Sequence, residues 1–63
     1  MNKTIEYFEG KKKIMKETLA MRLKEIDEHY FDLENNWRVS EAKRLIEEIQ
    51  LTTNAIESLK QID

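Results

Sequence analysis

The sequence predicts an all-α fold: a long antiparallel helical hairpin with coiled-coil character, which dimerises into a four-helix bundle. Three observations lead there. Apolar residues recur at steps of three and four along two long stretches, the spacing that lines one side of a helix. There is no proline and a single glycine, so neither stretch holds a strong breaker. Between them stands Asn35-Asn36-Trp37-Arg38-Val39-Ser40, where residues suited to closing one helix and opening another come together. The 63 residues make one domain, 1–63. A chain of that size hides only ~60% of its unfolded surface, so a second copy is expected to complete the core.

Helix 1 is expected over about residues 3–35, with Asn2 or Thr4 as its cap. Its apolar positions run Ile5, Phe8, Met15, Leu19, Leu23, Ile26, Tyr30, Leu33 and Trp37, with Lys12 filling one gap. Two successive steps of four at 15-19-23 put a stutter into an otherwise heptad seam. Ile14, Met21 and Phe31 lie beside the seam and widen it. Gly10 is a candidate hinge, because glycine inside a helix costs ~1 kcal/mol against alanine.

The turn is expected over 35–40. Asn35 and Asn36 tolerate the left-handed conformation that often ends a helix. Ser40 can cap the next helix; Asn36 is the alternative cap, and would draw Trp37 into that helix. Trp37 and Val39 are expected to close the end of the core. A tryptophan between two helices superficially resembles the WXG family of secreted helical hairpins. The tripeptide here, Trp37-Arg38-Val39, lacks the glycine, and the chain after it is short for that family, so nothing is carried over from it.

Helix 2 is expected over about 41–62. Ala42, Leu45, Ile49, Ile56 and Leu59 fall on its seam, with Thr52 at one polar site and Ile46 alongside. A second stripe, Leu51, Ala55 and Ile62, lies off the seam. Asn54 with Glu57 could cap a separate short helix, but the seam keeps its phase across them, which favours one continuous helix. On these boundaries helix 1 reaches ~50 Å and helix 2 ~33 Å. Residues 3–13 then overhang, leaving Ile5, Tyr7 and Phe8 without a covering partner in the same chain.

Charge is segregated. Residues 10–24 carry a net +5 and residues 25–36 a net −5. That order opposes the helix macrodipole, which favours acids early and bases late. Antiparallel pairing, within the hairpin or between two copies of helix 1, brings opposite signs together and so can set orientation.

The chemistry is sparse. Without cysteine there is no disulfide or thiolate metal site. His29 is the one histidine; Glu25 and Asp32 flank it, but residue 26 is isoleucine, so the Glu-x-x-His spacing of carboxylate metal bundles is missing. No catalytic pair or glycine-rich loop is present, so neither enzyme activity nor a cofactor is expected. No apolar run is long enough for a membrane span or a leader, which makes the cytoplasm the expected compartment. The Lys, Glu, Ile and Asn usage suggests a bacterial or phage origin.

The expected function is therefore protein binding by a small regulator, inhibitor or assembly factor that offers a helix face. Ile5, Tyr7, Phe8, Leu51 and Ile62 are the candidate contacts, and a homodimer is the expected assembly. A second reading is a nucleic-acid-binding dimer using Lys11, Lys12, Lys13 and Lys16, with Tyr7 and Phe8 near enough to stack on bases. Its architecture would match the plasmid copy-control hairpin that binds paired RNA loops, an analogy of fold alone. A third reading makes the first 23 residues an amphipathic membrane-surface helix.

Overall fold

The computed structural model describes residues 2–28 and 33–62. Helix α1 spans Lys3–Glu28 and helix α2 spans Trp37–Ile62, each of 26 residues. A single 3₁₀ turn, Leu33–Asn35, precedes α2. The helices pack antiparallel. Arg22 pairs with Glu41 at 3.0 Å and Arg38 with Glu25 at 3.1 Å, so advancing along α2 means retreating along α1. The molecule is a rod of 47 × 16 × 12 Å.

Each helix starts on an asparagine. The Asn2 Oδ1 accepts from the Thr4 and Ile5 amides at 2.9 and 3.1 Å. The Asn36 Oδ1 accepts from the Arg38 amide at 3.0 Å, while its carbonyl accepts from Val39. Both use the short acceptor that suits a helix entry. Asn36, not Ser40, therefore opens α2, and the helix begins four residues before the expected position 41. The extra turn brings α2 to the same length as α1, ~39 Å.

That length, with α1 ending at Glu28 instead of the expected 35 or so, removes the expected overhang. Lys60 shares a groove with Glu9 and Lys12, so α2 reaches back almost to the start of α1. Ile5 and Phe8 are half-buried in the seam. Tyr7 is 60% exposed because it points to another side of α1. α1 runs unbroken through Gly10, and α2 through Thr52-Thr53-Asn54. Thr53 Oγ1 donates to the Ile49 carbonyl at 2.8 Å, so its hydroxyl is satisfied within the helix.

The seam is more regular than its apolar residues alone suggest. On α1 the half-buried positions include Ile5, Phe8, Lys12, Met15, Leu19, Arg22 and Ile26, alternating steps of three and four without a stutter. Leu23, expected in the seam, is 48% exposed. Arg22 takes the slot because an inward guanidinium meets Glu41, whereas a leucine there would leave that carboxylate unpaired. On α2 the matching row is Arg38, Ala42, Leu45, Ile49, Thr52, Ile56 and Leu59. Ala42, Leu45 and Ile56 are the buried members, and no described residue of α1 is buried to that extent. Trp37 and Leu33, also expected in the core, are 55% and 46% exposed. The expected seam position Tyr30, and Phe31 beside it, lie outside the described residues, as do His29 and Asp32.

A candidate interaction face and a lysine groove

The seam leaves two broad sides of the hairpin, and they differ. Tyr7, Ile14 and Met21 are seven residues apart and so stack along one flank of α1. Leu51, Ala55 and Ile62, at steps of four and seven, line one flank of α2. At ~100° per residue each line stands roughly a right angle or a little more from its seam. The rotation is in the sense that antiparallel packing turns toward a common side. Trp37 lies on that side of α2, and its 5.2 Å approach to the Arg22 guanidinium across the hairpin fixes the matching side of α1. One broad face thus presents Tyr7, Ile14, Met21, Leu51 and Ile62, with exposures of 60, 62, 54, 63 and 79%.

This face is divided along its length. Tyr7, Ile14, Leu51 and Ile62 occupy the open end, where the N-terminal half of α1 meets the C-terminal half of α2, while Met21 lies nearer the turn, its sulfur 3.6 Å from Arg22 Nη1. The turn end carries ionic residues. Arg22 donates through Nε to Glu41 and through Nη1 to Glu25; Arg38 donates through Nε to the same Glu25. Trp37 lies against both guanidinium groups, 5.2 Å from Arg22 and 4.8 Å from Arg38. Arg44 and Glu48 pair beside them at 3.3 Å. Foremost through the hydrogen bond to Glu41, against the opposing pull of partial burial, and further through the charges of Glu41 and Glu25, Arg22 is held above the ordinary arginine pKa. It therefore stays ionised across any physiological pH. Trp37 is a lid over this cluster, and the ion pairs explain why it is not a core plug.

The opposite broad side carries a groove of about 460 Å³. Lys12, Lys13, Lys16 and Lys60 line it with Glu9, Glu17, Glu57, Thr53 and Ile56. The lysine run named from sequence is thereby split: Lys11 turns to the other side, its Nζ 6.0 Å from the Tyr7 ring. Lys60, 44 or more residues away in sequence, joins the other three, which no local pattern could reveal. Four lysines against three glutamates leave little field for a polyanion.

Of the expected contacts, the structure places Tyr7, Leu51 and Ile62 together on the broad face and puts Ile5 and Phe8 in the seam. Ile14 and Met21 join the face, although sequence placed them only beside the seam; their spacing of seven from Tyr7 was the available signal. Among the described residues no group of three or more His, Cys, Asp or Glu side chains is arranged to hold a metal, and no helix is long and apolar enough to cross a membrane. No protein-family model, curated protein or solved structure matches this chain.

Proposed function

We propose that this chain is a non-enzymatic protein-binding module, a small regulator, inhibitor or assembly factor. It works through the open broad face and self-associates there into a four-helix bundle. The observation that carries the reading is the alignment of Tyr7, Ile14, Met21, Leu51 and Ile62, all more than half exposed, on one side of a rod. Surface area supports it. The chain exposes 5116 Å², ~800 Å² more than the ~4300 Å² expected of a compact 7.6 kDa monomer.

Paired substitutions on the two broad sides test the reading. Ile14→Glu with Leu51→Glu should weaken self-association and any partner binding at least 100-fold. Lys12→Glu with Lys16→Glu should change either by less than about threefold. The reverse pattern would favour the nucleic-acid reading, which draws its support from Lys60 joining Lys12, Lys13 and Lys16. In that case binding of an RNA or DNA duplex should fall steeply with added salt in the native chain and lose that dependence in the lysine variant.

A further inference from the structure

We propose that the occupant of the broad face is a second copy of this chain, stacked with both turns at the same end of the bundle. The orientation deepens the self-association reading and rests on it. Three observations lead to it.

The first is area. The broad face measures 47 by 16 Å, on the order of 750 Å², close to the ~800 Å² per partner of a standard stable interface. Full overlap is therefore needed to reach that size.

The second is the lengthwise division. Tyr7, Ile14, Leu51 and Ile62 lie at the open end, whereas at the turn end Met21 and Trp37 stand among Arg22, Glu25, Arg38, Glu41, Arg44 and Glu48. Stacking two copies with turns at opposite ends and full overlap would lay apolar side chains on ion pairs. The charged groups would lose water and gain no partner. Sliding the copies until apolar meets apolar would leave much of the face uncovered. Stacking with turns together brings open end onto open end over the whole length. Ile62 then meets Tyr7 of the second copy, and Leu51 meets its Ile14.

The third is charge. In the ionic half of the face Arg22, Arg38 and Arg44 are all ion-paired, to Glu25, Glu41 and Glu48, so two such clusters meet without strong repulsion. The lysine-rich run that would otherwise favour pairing α1 against α1 in opposite directions has Lys12, Lys13 and Lys16 on the far side. Of that run Lys11 alone, beside Tyr7, stands on this side. In the arrangement that results, α1 of one copy packs antiparallel on α2 of the other, as within each chain.

The chain has no cysteine, so single spin labels can be placed at will. Asn35→Cys reports the turn end and Gln61→Cys the open end, measured by pulsed dipolar spectroscopy on the labelled full chain, with helicity checked by circular dichroism. With neighbouring helix axes 8–10 Å apart, both labels should give distances below about 25 Å. An Asn35 distance at or beyond the 47 Å length of the hairpin would overturn the orientation while leaving self-association intact. A monomer at 1 mM by sedimentation equilibrium would overturn the second copy itself. Agreement of the two labels protects the result against local distortion at either site.

Discussion

Arg22 and Leu23 compete for one position in the seam, and the arginine takes it. Hydropathy reads the leucine as the inward residue. The deciding partner, Glu41, is 19 residues away and visible only once the helices are paired. The same cluster reverses the expectation for Trp37, which covers two guanidinium groups instead of filling the core. Trp37→Ala should therefore cost about 1 kcal/mol in urea unfolding, the scale of an exposed cation–π contact, where a core tryptophan would cost 3–5 kcal/mol. Leu23→Lys should be within about 0.5 kcal/mol of the parent, because its side chain is half exposed on the flank. Leu45→Ala, at a buried position, should cost about 2–5 kcal/mol in the same assay, enough to unfold much of so small a chain.

At the level of the helices, periodicity in the sequence was enough to give two antiparallel elements and the α2 row Ala42, Leu45, Ile49, Ile56 and Leu59. It did not give the start of α2. Asn36 and Ser40 both carry a capping acceptor, and local sequence offers no reason to prefer one. The structure chooses Asn36, which lengthens α2 by a turn; together with the end of α1 at Glu28 instead of about 35, this removes the overhang. Asn36→Ala should lower stability by about 1 kcal/mol, and Ser40→Ala by less than about 0.5 kcal/mol, in matched thermal melts. Gly10 lies inside α1, and a methyl added there would meet nothing within 4 Å. Gly10→Ala should therefore stabilise by about 0.5–1 kcal/mol, by improving helix propensity and lowering unfolded-state entropy. A Gly10→Ala chain that melted lower would indicate that a bend at this position matters.

The whole molecule is a rod with half a core. Among the described residues three side chains are buried, all on α2, which is few for a stable domain, and marginal small domains commonly gain stability by association. The off-seam stripe Leu51, Ala55 and Ile62 was legible from spacing. Its counterpart Tyr7, Ile14 and Met21 is harder to see in the sequence, because Ile14 and Met21 adjoin the apolar seam and Tyr7 falls in the segment expected to overhang. That both stripes share one face required the antiparallel register, a property of the folded hairpin. The lysine groove required it too, since Lys60 comes from the far end of the chain. If the face is the association surface, stability must rise with protein concentration by mass action, and the melting midpoint of the parent chain should climb several degrees from 1 to 100 μM. Ile14→Glu should flatten that dependence.

The most direct test is the mass in solution by sedimentation equilibrium, from 1 μM to 1 mM, for the parent chain beside Ile14→Glu. The parent should run at twice the 7.6 kDa chain mass over most of that range, and the variant at the single-chain mass while keeping its helicity. A parent at single-chain mass throughout, or a variant that dimerises as well as the parent, would contradict the assignment of this face to self-association.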